Sequence, residues 1–514
     1  MKARLFVCLS VALCAACGNE QGVGSRYRAE RALWHLNREY RRLSIKPELV
    51  ESETWRNLAQ GYETLAQGTD TSASSAGDPL AQDIHTLVAR ALVNAAQIHA
   101  GIGDSTAMRA NYGRVIAEFQ DVPLLVGEVK LAQGRMHEYA KLWVEAAKAY
   151  ETILEHIEPQ PGEPGVPGLV IEIPLRVARL HRQASMDAAP GDTSAVRSAP
   201  VQAAYEQAEE RYRRWITAKP ESRLALESRL RLADVAADCG RWQVAMGELR
   251  QIEAQIAADR SSTLDPGNVR LSMAMVQSRA SAAPGPTRDL LLSVPRDYPK
   301  SPAAAQALLT LATLDARQGA VDEALDALDR LRDEYAGATS LNANGMLLRG
   351  RLLEREGRWP EALDVFRSLP VRHPLSDPAL LAPLEVVAHY KRVEDATETA
   401  AALERAEREY RELLTRYPSH QTTLPIRTKL AQVLAMQHRN EEALVELMGI
   451  ADALPGNPQG ASIMLQAAKF AYNDMGDRKR AAEILGNLAQ RYPNMEVGRW
   501  AAAEAVRLRE VSSE

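Results

Sequence analysis

Aromatic side chains are scarce in this 514-residue chain. They make up 5% of it, with only 4 Phe. The apolar content is instead mostly Ala and Leu, both strong helix formers. Val and Ile cluster in few places, so long strand-like runs are missing. Cysteine is scarcer still. Of the 4 present, Cys8, Cys14 and Cys17 lie in the first 17 residues and only Cys239 lies in the body. A single cysteine forms neither an internal disulfide framework nor a paired-cysteine metal site. Neither sign of charge dominates. With 62 basic and 67 acidic residues the formal net charge is −5, which speaks against the basic stripe of a nucleic-acid binder. The charges interleave, as in Glu404, Arg405, Glu407, Arg408, Glu409, Arg411 and Glu412. Pairs four apart, such as Glu404 and Arg408, meet on a solvated helix face.

Catalytic motifs are missing as well. The chain has no His-Glu-x-x-His and no Gly-x-x-x-x-Gly-Lys phosphate loop. Gly101-Ile102-Gly103 looks like a fragment of a glycine-rich loop, but no strand precedes it, so it reads as a helix–helix turn. The 10 His are scattered, and His137-Glu138 falls on a helix. Cys239, beside Gly240, reads as a small packed residue at a helix end. These absences lead to the expectation of no catalytic residue, no cofactor, no metal and no enzymatic activity.

What is present is recurrence. Leu308, Leu309, Leu311 and Ala312 follow helical spacing, Gly319 breaks the helix, and Asp322 and Glu323 open the next with negative charge at its positive end. Ala324, Leu328 and Leu331 then line one face. The pattern returns around Gly240, Gly357 and Gly476. Its marker alanine recurs at Ala324, Ala362, Ala406, Ala443 and Ala481, at intervals of 38, 44, 37 and 38 residues. Thr287 stands 37 before Ala324, and Ala208 stands 37 before Ala245. A fixed period in this range signals a solenoid. The fold class expected is all-α, a stack of antiparallel helix pairs.

The residues at these places resemble the tetratricopeptide repeat. Small residues Ala233, Ala312, Gly350 and Ala431 fall in the middle of the first helix. The early alanine of the second helix is Ala146, Ala208, Ala245, Ala324, Ala362, Ala406, Ala443 or Ala481. Four residues later comes Tyr150, Tyr212, Leu249, Leu328, Phe366, Tyr410, Leu447 or Leu485, and Pro220, Pro299, Pro374, Pro418, Pro455 and Pro493 close units. The resemblance covers roughly residues 85 to 510 and implies a right-handed α-solenoid. Most units run 3 or 4 residues longer than the family's period of about 34. Tyr-Pro endings at Tyr298, Tyr417 and Tyr492 are similar to those of repeats in bacterial envelope proteins.

Around the array the chain divides further. Residues 1–16 read as a signal peptide: Lys2 and Arg4 precede an apolar stretch, Leu5 to Ala16, that is too short to span a bilayer. Ala15-Ala16-Cys17 resembles a bacterial lipobox, with Cys14 where that signal usually has Leu. The resemblance implies a lipid on Cys17, and Gly18 after it suggests an outer-membrane address facing the periplasm. Ordinary cleavage to a soluble periplasmic protein is the alternative. Residues 17–80 read as linker and helical cap, with Trp34 and Trp55. Residues 81–160 read as N-terminal repeats, 161–200 as a Pro- and Gly-rich interruption with one helix near Pro174 to Met186, and 201–494 as the main array. Residues 495–514 read as a capping helix using Trp500, Ala503, Val506 and Leu508. Gly68 to Asp78 and Pro159 to Gly168 have loop composition.

In the tetratricopeptide family the first helices line a groove that holds the partner. The matching positions here are Glu227 and Asp234, Ser272 and Arg279, Gln306 and Thr313, and Asn344, Arg351 and Glu354. Toward the C-terminus they are Thr428 and Gln432, then Gln466, Phe470 and Asn473. The function expected is a non-catalytic scaffold of the cell envelope. It would bind other envelope proteins or peptides, touch the membrane through the N-terminal lipid, and bind no nucleic acid. An accessory or enzymatic module in cell-wall glycan processing, or a part of a secretion or assembly machine, are the alternatives.

Overall fold

The computed structural model describes residues 23–69, 79–157, 168–192, 194–258, 264–454, 456–493 and 495–511. The signal segment, Cys17, most of the loop from Gly68 to Asp78, the break from Pro159 to Pro167, and Pro455 lie outside the described residues. Among the described residues there are 23 α-helices and no strand. In chain order they begin with α1 (Val23–Leu43), α2 (Ser52–Gly68), α3 (Pro79–Gly101), α4 (Ser105–Glu118), α5 (Pro123–Tyr139) and α6 (Trp143–His156). Next come α7 (Gly168–Ala188), α8 (Ala199–Ala218), α9 (Arg223–Asp238), α10 (Trp242–Ala258), α11 (Pro266–Ala280) and α12 (Pro284–Asp297). Then follow α13 (Pro302–Arg317), α14 (Val321–Glu334), α15 (Thr339–Arg355), α16 (Trp359–Arg372), α17 (Asp377–Arg392) and α18 (Ala396–Arg416). The series ends with α19 (His420–Met436), α20 (Asn440–Asp452), α21 (Pro458–Asn473), α22 (Arg478–Arg491) and α23 (Glu496–Val511). The chain forms two compact units, Met1–Ala132 with Tyr390–Glu514, and Gln133–His389. Within each, consecutive helices pack side by side as antiparallel pairs.

Two kinds of turn punctuate the series. In most pairs the turn inside the pair carries a residue in the left-handed region. Gly103, Gly240, Gly319, Gly357 and Gly476 do this with φ of 80°, 73°, 77°, 73° and 68°, where glycine pays no Cβ penalty. Lys141, Glu394 and His438 take the same place at 57°, 58° and 61°. A side chain there costs about 1–2 kcal/mol. After five of the pairs the turn is set by proline. Helices α8, α12, α16, α18 and α22 end two residues before Pro220, Pro299, Pro374, Pro418 and Pro493. The residue between has left the helical region: Tyr298 has φ −130° and ψ 56°, and Tyr492 has φ −131° and ψ 51°. Proline's Cδ forces its predecessor out of the helical region.

The interval of 44 residues between Ala362 and Ala406 has a simple cause. Ala324, Ala362 and Ala481 are each the fourth residue of a 14-residue helix. Ala406 is the eleventh residue of α18, which has 21. Two extra helical turns lie at the start of α18, and its last ten residues keep the common register. Ala406 and Tyr410 are accordingly buried like their counterparts.

Inside each pair a small residue faces a bulky one. Tyr150, Tyr212, Leu249, Leu328, Phe366, Tyr410, Leu447 and Leu485 are all buried. The ring of Phe366 lies on Gly350, where an added Cβ would stand 2.4 Å from a ring carbon. Tyr150 lies on Gly134 in the same way. Ala233, Ala312 and Ala431 fill the corresponding place elsewhere and are buried.

Helix α7 extends farther than Pro174 to Met186, and Pro174 sits in its interior. The proline supplies no N–H to the helix ladder. One residue on, the Tyr212 hydroxyl joins that ladder. It donates to the Ile171 carbonyl at 2.7 Å and accepts from the Leu175 N–H at 3.2 Å. At the C-terminus α23 packs through Ala501, Ala505 and Leu508. Leu508 packs as expected, but Trp500, Ala503 and Val506 point outward, because the buried stripe through Ala501, Ala505 and Leu508 runs in steps of four and three. Cys239 is also exposed and not packed. It caps α9 just before the Gly240 turn, beyond the last buried residues of that helix.

Candidate partner-binding face on the first helices

In the second unit the first helices of successive pairs touch one another: α7 meets α9, α11 meets α13, and α13 meets α15. Their polar sides therefore form one face. Helix α7 contributes Glu172, Arg176, Arg179 and Gln183, spaced four, three and four apart, which places them on one side of a helix. Its opposite side, with Ile171, Leu175 and Ala178, is buried against α8 and α9. Between α7, the end of α5 and α9 lies an open cleft of about 450 Å³, lined by Glu138, Trp143, Glu172, Leu175, Arg176, Arg179, Leu180, Gln183 and Arg231.

The cleft is charged and internally neutralised. Arg176 holds Glu138 with two parallel bonds, Nε to Oε1 at 2.6 Å and an Nη to Oε2 at 2.8 Å. This fork geometry fixes both side chains. Arg231 reaches Asp234 at 2.8 Å and Glu172 at 3.4 Å. Asp238, whose side chain is 4% exposed, gathers Arg179 at 2.6 Å, Arg279 at 3.4 Å and Arg182 at 3.9 Å. Tyr205 adds its hydroxyl at 3.3 Å. Burial raises the Asp234 carboxyl above its ordinary pKa, against the pull of Arg231 and Arg179. Trp143 donates from its indole nitrogen to Asp187 at 2.6 Å, and Gln183 donates to the same carboxylate at 2.8 Å. Arg176, Arg231 and Arg179 thus each hold a carboxylate of the protein itself.

Of the groove positions expected from the sequence, Asp234 and Arg279 belong to this network. Glu227 is held by Arg223 on its own helix at 2.6 Å. Ser272 and Gln306 are half-buried, and the Gln306 carbonyl accepts from Thr310 at 2.8 Å. Thr313 and Thr428 return their hydroxyls to Leu309 and Leu424 on their own helices. Asn344 is exposed and donates to Ser340. Arg351 pairs with Glu385, and Glu354 accepts from the His389 Nδ1 at 2.7 Å. Gln432, Gln466 and Asn473 are exposed, and Phe470 packs at the edge of the core of the first unit.

Glu138, Glu172, Arg176, Arg179, Gln183 and Arg231 were missed by the groove rule. The signal that finds those on α5 and α7 is the same three-and-four spacing, applied beyond the regular repeats, and Arg231 stands four after Glu227 and three before Asp234 on α9. Among the described residues no group of three His, Cys, Asp or Glu is placed to hold a metal ion. No described helix is long and apolar enough to cross a membrane.

Comparison with known proteins bears on the fold. No curated relative matches this chain. A tetratricopeptide repeat protein from Parabacteroides merdae is similar in structure at 16% identity and a TM-score of 0.31, covering 55% of this chain and 98% of that one. Yeast Tom70 is similar at 11% identity and 0.36, covering 94% and 97%. A human IFIT1 dimer with PPP-AAAA is similar at 14% identity and 0.35, covering 90% and 96%. The family model of the tetratricopeptide repeat matches residues 306–338 and 463–494. Those spans correspond to α13–α14 and α21–α22, each with a left-handed glycine in its turn and a 14-residue second helix. At these two pairs the chain carries tetratricopeptide repeats.

Proposed function

We propose that this protein is a non-catalytic scaffold of the bacterial cell envelope that binds an extended segment of a partner along its first helices. The observation that carries this is the cleft between α5, α7 and α9. It is open, sits on the polar side of first helices, and presents arginines and carboxylates in alternation. Such a lining suits a peptide backbone with mixed side chains, since every charge on the ligand meets an opposite one. The lipobox-like end at Cys17 supports attachment to a membrane, and the outer membrane with the body in the periplasm is the address that fits Gly18.

A photoreactive residue placed at Gln183, inside the cleft, tests the binding reading in cells. It is expected to give a discrete adduct that the same residue at the exposed Glu210 on α8 does not give. Identical adducts from both positions, or none from Gln183, would sink the idea. Cys17→Ser is expected to release the protein to the soluble fraction, and unchanged membrane retention counts against the anchor. Turnover of peptidoglycan by the purified protein would overturn the non-catalytic reading.

A further inference from the structure

Helix α1 packs one side into the core of the first unit. Ala29 and Leu33 are buried there, and Leu36 packs against the same cluster. The opposite side carries Tyr27, Arg31, Trp34, Arg38 and Arg41, with Ile45 just past the helix end. Steps of four, three, four, three and four keep these residues on one stripe. The stripe is exposed: Tyr27 is 63%, Trp34 51% and Ile45 76% accessible. Leu49 extends it. The Arg38 guanidinium lies 5.6 Å from the Trp34 ring. Arg31, Arg38 and Arg41 have no carboxylate partner among the described residues. The two acids of α1 lie off the stripe and are taken, Glu30 by Arg26 at 2.8 Å and Glu39 by Arg42. Arg26 also pairs with Asp83.

We infer that this face of α1 lies on a membrane surface that carries anionic phospholipid headgroups. Three uncompensated arginines match the headgroup charge, and each basic residue near such a surface strengthens binding about fivefold. Trp and Tyr are the side chains that favour the water–lipid boundary, with rings in the headgroup layer. The stripe starts only ten residues after Cys17, so a lipid on that sulfur would hold it against the bilayer. Two weak attachments acting together make a stable one. The face is opposite the packed side of α1, so lying on lipid leaves the core of the unit intact. This placement rests on the anchor reading above, and the experiment separates the two.

The chain from Gly18 to Glu514, made without lipid, is mixed with vesicles of phosphatidylcholine alone or with added phosphatidylglycerol. Flotation is expected only with phosphatidylglycerol and is expected to weaken as salt rises. The triple variant Arg31→Glu, Arg38→Glu, Arg41→Glu is expected to lose more than tenfold in partitioning, and Trp34→Ala to lose severalfold. All four residues are exposed, and circular dichroism checks that the variants stay folded. No flotation, or flotation that the triple variant retains, overturns the inference whatever Cys17→Ser shows in cells. Self-association abolished by the same variants, without vesicle binding, would also overturn it and assign the face to a second copy of the chain. If Cys17→Ser stays membrane-bound in cells while the unlipidated chain still floats, the anchor reading fails and the surface reading stands.

Discussion

Two consecutive helix pairs of the second unit, α13–α14 and α15–α16, solve one packing problem with different residues. In α13–α14 the place in the first helix is Ala312 and the bulky partner is Leu328. In α15–α16 the place is Gly350 and the partner is Phe366. Both bulky residues are buried and both second helices have 14 residues. What the two share is the filled space at the helix crossing, not a residue type. In the Gly–Phe version the phenyl ring occupies the volume of the missing methyl. A repeat therefore constrains the two positions jointly, and either alone looks variable.

Removing the ring should have the largest effect. Phe366→Ala empties a buried site and is expected to cost about 3–5 kcal/mol, read as a lowered urea midpoint. Next comes Gly350→Ala. Its Cβ would meet the Phe366 ring at 2.4 Å, so the cost expected is about 1–3 kcal/mol despite the better helix propensity of alanine. Gly350→Ala with Phe366→Leu copies the neighbouring pair and should recover most of that loss. If the double variant is no better than Gly350→Ala alone, the two pairs are not interchangeable and the comparison fails. The reverse change, Ala312→Gly, should cost about 1–2 kcal/mol, from one lost buried methyl and a glycine in a helix interior. Because each unit of a repeat stack leans only on its neighbours, hydrogen exchange should locate these losses in α13 to α16.

Much of this arrangement was legible in the sequence, and the reasons for the gaps are local. The small places Ala312 and Gly350 and the bulky places Leu328 and Phe366 followed from the resemblance to the tetratricopeptide repeat, while helical spacing put Leu328 and Leu331 on a face that has to be buried. Gly319 and Gly357 marked their turns because glycine tolerates positive φ. Lys141, Glu394 and His438 adopt the same conformation without that marker, so their turns were silent. Each nevertheless lies where a turn is needed, five residues before Ala146 and Ala443 in two of the three cases. In the third, the two added turns of α18 move Ala406 away from Glu394, which also explains the one irregular interval. Helix α7 begins six residues before Pro174, where the sequence signal is weak, and Arg176 and Arg179 were passed over because the groove positions were taken from the regular repeats alone. Cys17 and the residues before it lie outside the described residues, so the anchor rests on the sequence alone.

Tyr212 sharpens the comparison at a third pair, α7–α8, where it holds the place of Leu328 and Phe366. Here the space is again filled, but the side chain also carries a polar end into a dry site. Burial pushes its phenol pKa well above the ordinary value, so the hydroxyl stays protonated and keeps donating across the neutral range. It can donate to Ile171 while accepting from Leu175 only in that state. Tyr212→Phe keeps the ring and removes the bridge. If volume alone sets this position, the variant should be as stable as the parent. If the hydroxyl is part of the α7 ladder after Pro174, the loss should be about 0.5–1.5 kcal/mol, with faster exchange of the Leu175 amide. Ile171 and Leu175 stand four apart, so their own groups can close part of the gap, which is why the smallest effect of the series is expected here. A loss above that of Gly350→Ala would mean that the hydrogen bond, and not the filled volume, dominates at this crossing.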